Sequence, residues 1–305
     1  MQALLDTLST LEFPTDARRV FHGRGGLHPG CEHLCLDAYP PVWLLTSFTP
    51  LDVEALATFG AALQRRWDAV AAPGQPLNWV YQCRGEGRAT TQLMQGSVPP
   101  RHMVQEAGAR YQVHLLQGQN HGLFLDMAEG RRWVAEHAAR TSRLRVLNLF
   151  AYTCAFSVVA LQHGARQVLN MDMSAGALAT GQSNHQLNGL GPGARFMAHD
   201  IFSSWGKIRR MGPYDLIIVD PPSYQKGSFV ADKDYARVVR RLPELLEADG
   251  RAMLCLNAPE LGPDFLHALV REHAPALRLQ GRLPNPAVFA DADEDRSLKV
   301  LIYAA

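Results

Sequence analysis

The residues best suited to chemistry stand in the C-terminal half of the chain, in Asp215-Leu-Ile-Ile-Val-Asp-Pro-Pro-Ser-Tyr224. An apolar, strand-like run enters Asp220-Pro221-Pro222 directly. Consecutive prolines remove two backbone donors and fix φ at both positions, which turns neighbouring carbonyls outward as acceptors. With the Asp220 carboxylate, such acceptors suit a substrate amino group or a ring edge. Tyr224 offers an aromatic face on which a base could stack. The plain alternative is a proline strand stop followed by a buried tyrosine. Three more segments carry related chemistry. Asp172 stands 24 residues after Asn148. An acidic residue ~20 residues beyond a first strand–helix turn is placed to accept hydrogen bonds from ribose hydroxyls. Met173 lies beside it, and Asp172 or Ser174 could also cap the next helix. Asp200 could accept from an adenine amino group, with Ile201 or Phe202 packed on the ring, or could itself be a cap. Asn148-Leu-Phe-Ala-Tyr-Thr-Cys-Ala-Phe-Ser157 is a turn feeding a helix, whose N-terminus can face a polar ligand. It has no glycine and so lacks the glycine-rich nucleotide fingerprint.

These segments need strands and helices to place them, and the chain from about residue 127 supplies both. Apolar strands are predicted at 145–150, 167–171, 194–197, 214–219, 251–257 and 298–303. Helices are predicted between them at 155–163, 175–188, 233–247 and 263–273. Near-continuous apolar strands alternating with helices predict a mostly parallel sheet covered on both faces. In such a sheet ligands bind beyond the carboxyl ends of the strands, where strand order reverses. All four segments fall at predicted strand ends. The tail differs: 277–283 and 298–303 lack a helix between them, which predicts a terminal hairpin and one antiparallel strand. Residues 1–102 read as a smaller α+β domain, with strands at 42–48 and 77–84 and an amphipathic helix at 55–70. Leu56, Phe59, Leu63 and Trp67 recur in that helix at spacings of three and four. Residues 103–126 read as a hairpin, with strands at 111–116 and 123–125 around a turn at Gly118–Gly122.

Composition narrows the class. At 305 residues, with 47% hydrophobic and 19% charged, the chain has material for about two folded domains. The formal net charge of +1 carries no global signature of a nucleic-acid binder, although a local basic groove fits within it. No apolar run reaches the ~18 residues of a membrane span. The first fourteen residues do not read as a signal peptide, so a cytoplasmic protein is expected. Five scattered cysteines suit free thiols. Cys31, His33 and Cys35 lack a zinc spacing, and no metal is expected.

The stretch from about 104 to 305 resembles the class I methyltransferases that modify large-subunit ribosomal RNA. The first motif is carried by Asn148, Phe150, Tyr152, Thr153, Phe156 and Ser157, and the fourth by Asp220, Pro221, Pro222 and Tyr224. Gln119–Asp126 is similar to the family's hairpin over the cofactor, and Asn184–Leu190 to its second helix. The resemblance implies a doubly wound, Rossmann-like α/β sheet of seven strands with a terminal antiparallel strand. It also implies S-adenosylmethionine as cofactor, a catalytic domain over 127–305 and a hairpin over 103–126. Cys154 stands where many members have glycine, and its bulk could tighten the methionine pocket.

On this resemblance Asn148, Phe150, Tyr152, Thr153, Asp172, Met173, Asp200, Ile201, Phe202 and Asp220 are the cofactor-binding candidates. Asp220, Pro221, Tyr224 and Asn257 are the catalytic ones. Relatives that methylate cytosine carbon 5 carry a cysteine at the end of the fifth strand, to add to the ring first. Here that end is Asn257, as in guanine-methylating relatives, and Cys255 lies two residues earlier. A guanine ring nitrogen has an exposed lone pair and needs only in-line placement. Arg84, Arg88, Arg101, Arg131 and Arg132 are candidates for RNA phosphate contacts or plain surface, with Lys226 and Lys233 flanking the site. Three other readings stay open: a small-molecule or protein methyltransferase, a non-catalytic RNA-interaction protein, and a nicotinamide-dependent oxidoreductase, against which the missing glycines argue.

Overall fold

The computed structural model describes residues 1–85, 89–222, 224–225 and 229–305, the side chains of Tyr224 and Gln225 left aside. The chain divides into two compact units. The first is Met1–Asp126 with Pro286–Ala292, and the second is Met127–Asn285 with Asp293–Ala305.

The first unit contains α1 (Gln2–Thr10), β1 (Arg18–His22), β2 (Leu34–Tyr39), β3 (Val42–Ser47), α2 (Val53–Val70), β4 (Asn78–Cys83), β5 (Thr90–Gln95), β6 (His102–Glu106) and β7 (Ala109–Val113). Strands β1 to β5 form one sheet in chain order. β3 and β4 are its parallel pair, joined through α2. Asp52 starts α2 by accepting from the Ala55 amide at 2.7 Å, the usual N-cap bond. Side chains alternate across a strand. So Leu36, Leu45 and Trp79 meet Leu4, Leu8, Phe59 and Leu63 in one core. Asp37, Thr46 and Gln82 point to the opposite face and are buried as well. There Asp37 takes two hydrogen bonds from Arg19, at 2.7 and 3.0 Å. The Arg19 guanidinium lies 4.5 Å over the ring of Phe289, from the Pro286–Ala292 segment. That segment needs a glycine opposite it, because a Cβ on Gly25 would stand 2.2 Å from the Ala290 carbonyl oxygen.

The expected hairpin is present but displaced along the chain. β6 pairs with β7 through Ala107 and Gly108, both at positive φ (48° and 84°). That is the requirement of a two-residue turn whose twist matches the strands. Residues 118–122, read as the turn, instead form a loop that the His114 amide closes onto the His121 carbonyl at 3.0 Å. Residues 123–125 are not a strand.

The second unit runs α3 (Ala128–Arg140), β8 (Arg145–Leu149), α4 (Ala155–Gln162), β9 (Gln167–Asp172), α5 (Ala175–Leu187), β10 (Ala194–Ala198), α6 (Trp205–Met211), β11 (Tyr214–Val219), β12 (Tyr224–Gln225), β13 (Phe229–Val230), α7 (Ala231–Val239), α8 (Leu242–Leu245), β14 (Leu246–Leu256), α9 (Pro263–His273), β15 (Arg278–Arg282) and β16 (Lys299–Ala304). Its seven-stranded sheet has the order β10-β9-β8-β11-β14-β16-β15. β16 is antiparallel to both of its neighbours. The expected doubly wound sheet and terminal hairpin are therefore both present.

The long helix predicted over 233–247 is divided into α7 and α8. In a continuous helix residue 243 would donate its amide to Val239, and Pro243 has none to donate. The chain instead restarts with Pro243 in the first turn of α8. β14 then begins at Leu246, five residues before the predicted start at Arg251. α6 was not predicted: it has seven residues and only Ile208 buried, too short for a periodic signal.

Candidate functional site

Strand order reverses between β8 and β11, and the carboxyl ends there are level. Leu149 is registered with Met171 on one side and Val219 on the other. Val219 is registered with Leu254. The segments singled out by sequence thus leave the sheet side by side: Phe150–Cys154, Asp172–Ser174 and Asp220–Pro222, with Asn257 beyond β14. Asp200–Ser204 follows β10 on the same edge.

The first of these segments is strained. Phe150, Tyr152 and Cys154 adopt positive φ (57°, 46° and 62°) without being glycine. Each such residue costs ~1–3 kcal/mol and persists only where the surroundings enforce it. The enforcing contacts are explicit. The Ala151 amide donates to the Met171 carbonyl at 2.9 Å. The Tyr152 amide donates to Asp172 Oδ2 at 2.8 Å. Asn184 Nδ2, from α5, donates to the Thr153 carbonyl at 3.0 Å. Cys154 is buried and faces α5, where a Cβ on Gly181 would stand 2.5 Å from its Sγ. The thiol therefore fills the space left by a missing side chain in α5, rather than tightening a pocket on the open side of the turn. Burial pushes the Cys154 thiol pKa far up, so it stays protonated.

Beneath the turn runs a chain of neutral side chains. Asn148 is 1% exposed. Its Nδ2 donates to Asn170 Oδ1 at 2.9 Å. Asn170 Nδ2 donates to Ser157 Oγ at 3.0 Å. Ser157 Oγ lies 2.9 Å from His185 Nε2, and His185 Nδ1 lies 2.7 Å from the Gly181 carbonyl oxygen. A carbonyl only accepts, so Nδ1 carries the proton, Nε2 accepts from Ser157, and every direction in the chain follows. Burial lowers the His185 pKa, in keeping with a neutral ring. Asn148 is thus committed to the scaffold, and its side chain is turned away from any ligand above the turn. Sequence reading had not found Asn170, although a signal existed. Asn148 and Asn170 sit at matching positions of two apolar strands, and parallel pairing sets them opposite each other.

Two carboxylates fit a nucleoside. Each Asp172 oxygen accepts one amide, from Tyr152 at 2.8 Å and from Ser174 at 2.8 Å. One lone pair remains on each oxygen for a hydroxyl donor. Ser174, not Asp172, caps α5, accepting from the Ala177 amide at 3.1 Å. Met173 beside it is 51% exposed. Asp200 Oδ1 accepts from the Phe202 amide at 3.0 Å. Of the two expected ring partners, Ile201 is 2% exposed and belongs to the core. Phe202 is only partly buried, with the Arg237 guanidinium 3.8 Å from its ring centre. Phe150 meets Phe229 edge-on at 5.2 Å, and Phe229 also neighbours Phe202. These rings tie together the ends of β8 and β10 and the start of β13, at ~0.5–1.5 kcal/mol per pair beyond area burial.

On the substrate side, Asp220 is partly buried and Pro221 buried. The backbone of Tyr224 pairs with Val230. The side chain of Tyr224, and Arg88 and Lys226, lie outside the described residues. Asn257 is exposed just beyond β14, whereas Cys255 is buried inside the strand, its carbonyl accepting from the Tyr235 hydroxyl at 2.9 Å. Lys299 was not anticipated. It is buried in β16 and its Nζ donates to the carbonyls of Ala258 and Asp295, at 2.8 and 3.2 Å, pinning the segment that follows Asn257. Several candidate phosphate contacts are otherwise engaged. Arg84 donates to Gln119 and Gln82, Arg131 is buried, and Arg132 pairs with Glu129 and Glu136. Arg101 and Lys233 are exposed. Among the described residues no group of three or more His, Cys, Asp or Glu side chains could hold a metal ion. No helix there is long and apolar enough to cross a membrane.

A family model for S-adenosylmethionine-dependent methyltransferases matches residues 18–304. Ribosomal RNA large subunit methyltransferase I of Aeromonas salmonicida is 36% identical over 140 residues, 45% of this chain and 35% of that protein. Ribosomal RNA large subunit methyltransferase K/L of Psychrobacter arcticus is 36% identical over 157 residues, 49% of this chain and 20% of that protein. The matched stretches thus span 35% and 20% of those relatives. A solved structure described as a putative SAM-dependent methyltransferase from Streptococcus mutans superposes with a TM-score of 0.83 at 23% identity, covering 100% of this chain and 78% of that one.

Proposed function

The chain belongs to the S-adenosylmethionine-dependent methyltransferase family, and from that premise we propose that it methylates a base of large-subunit ribosomal RNA at a guanine ring nitrogen. When bound, the cofactor supplies a methyl group on a sulfonium centre. Asp172 accepts from the ribose hydroxyls through the lone pairs its amide bonds leave open. Asp200 receives the adenine amino group, with Met173 and Phe202 beside the ring and Ile201 beneath it in the core. Phe150, Tyr152 and Thr153 form the turn along the methionine portion, and Asn148 holds that turn from below. Asp220 and the Pro221 carbonyl hold the target base, with Tyr224 stacked on it and Asn257 at the rim. With the base held there, the methyl group that the cofactor would supply could pass to the ring nitrogen by direct displacement. Placing the reacting atoms ~3–3.5 Å apart is the main catalytic device.

The observation that carries the choice of nitrogen is the position of Cys255. A thiol that adds to a cytosine ring must reach it. This one is 1% exposed within a paired strand, and the strand end is asparagine. The RNA substrate rests on what the similar proteins are named for.

Titration calorimetry with S-adenosylmethionine, wild type against Asp172→Ala, tests the cofactor site. Saturable binding that the substitution weakens at least tenfold is expected. Methyl transfer to ribosomal RNA, with the product nucleoside identified by mass spectrometry, tests the substrate. Methylcytosine as product would overturn the choice of nitrogen, and unchanged binding in Asp172→Ala would overturn the site.

A further inference from the structure

Charge is unevenly placed on the second unit. α4 and α5 contain no Asp, Glu, Lys or Arg. The helices α6 to α9 contribute Ile208, Val238, Val239, Leu242, Leu266 and Val270 to one core cluster, so they share a face of the sheet. On that face α6 carries Lys207, Arg209 and Arg210 and no acid. Arg237, Arg240 and Arg241 stand at the end of α7 and the start of α8. All six are exposed. Ring contacts draw the two groups together: Arg241 lies 5.8 Å over Trp205 at the start of α6, and Arg237 lies over Phe202. Asp234 and Glu244 pair with Arg237 and Arg241 at 2.8 and 3.0 Å. Among the described residues, Lys207, Arg209, Arg210 and Arg240 have no carboxylate within ion-pair distance.

We propose that the outer face of α6 and the α7–α8 junction is a docking surface for the phosphate backbone of RNA, leading away from the Asp200–Phe202 rim of the candidate site. The inference rests on the RNA reading above and adds a place where the catalytic unit itself grips the strand. Among the described residues Lys207, Arg209 and Arg210 pair with no carboxylate, and Arg240 lies against the His273 ring at 3.4 to 3.5 Å; such cations displace the counterions condensed on a phosphate backbone, which favours a polyanion. An apolar partner or a lipid surface is disfavoured, because none of the large exposed hydrophobic side chains lies on α6, α7 or α8.

The test compares two variants of the full chain that change net charge by the same amount. One is Lys207→Gln with Arg209→Gln and Arg210→Gln. The other is Ala179→Glu with Gln182→Glu and Gln186→Glu, on the exposed face of uncharged α5. Binding to a labelled ribosomal RNA stem-loop is read by fluorescence anisotropy over a salt series, and S-adenosylmethionine binding confirms that both variants fold. The α6 variant is expected to bind RNA ~10-fold or more weakly at ~0.1 M salt, with a log–log salt slope shallower by about 2. The α5 variant should stay within about twofold of wild type. Equal losses in both variants, or none in the α6 variant, would overturn the surface while the RNA reading stands. A wild type that binds the cofactor and no RNA would overturn both.

Discussion

Both units bury polar side chains inside a sheet, in opposite electrical form. In the first unit a full ion pair, buried Asp37 with largely covered Arg19, lies on the second face of the sheet. In the second unit a relay of neutral groups, Asn148–Asn170–Ser157–His185, underlies the candidate site. A buried pair of charges is stable only while both are present, since either alone carries an uncompensated desolvation cost. Burial works against the Arg19 charge, but the Asp37 carboxylate outweighs it, and the net shift of its pKa is upward. A neutral relay loses one bond at a time, and its single proton order fixes the orientation of each member. Charge therefore clamps the first sheet, whereas direction is what the relay contributes beneath the strained turn.

The sharpest way to break the comparison is Asp37→Ala, which strands Arg19. A loss of ~3–5 kcal/mol in urea unfolding is expected, and less than about 1 kcal/mol would mean that the pair is solvated after all. Next comes Gly181→Ala, which drives a methyl into the Cys154 thiol, 2.5 Å away. It should cost ~1–3 kcal/mol. Adding Cys154→Gly should restore most of that, with a coupling above ~0.5 kcal/mol in a double-mutant cycle. Strict additivity would show that the contact relaxes elsewhere. Asn170→Leu cuts the relay and should cost ~1–2 kcal/mol. It should also weaken S-adenosylmethionine binding in calorimetry, because the strained turn loses its support. Equal stability with intact binding would reduce the relay to packing.

The smallest effect concerns pH. Burial, with Arg19 second, lowers the His22 pKa from 6.5 to about 4. The unfolded chain then binds more protons, so this stability is fully present above pH 6.5 and is lost as pH falls toward 4. His22→Gln should flatten the fall in melting temperature over that window. An unchanged slope would assign it elsewhere, with His185 next to test because burial lowers its pKa as well.

Much of the second unit was legible. The strand ends and the terminal antiparallel strand follow from apolar runs and the helices between them, which report local period and burial, whereas the reversal point between β8 and β11 came from the sheet order itself. The misplaced hairpin and the divided helix came from local chemistry overlooked: a tolerated positive φ at Ala107, and a proline three residues beyond Arg240. The first unit was harder to read because β1, β2 and β5 carry weak alternation, and in β2 both faces are buried. At the site, the acceptors Asp172 and Asp200 were legible as residue types at strand ends. The engagement of Arg84, Arg131 and Arg132 with protein partners was not.

By itself the sequence determined the order of strands and helices along the chain and the polar residues set near the strand ends, because each depends on neighbours a few positions away. Only the tertiary structure decided that Asn148 serves the scaffold, that Cys154 fills the gap at Gly181, that Lys299 pins the segment after Asn257, and that two short runs of cations form one surface. Those outcomes join residues tens of positions apart, and they follow from strand register and helix packing, which periodicity along the chain does not set.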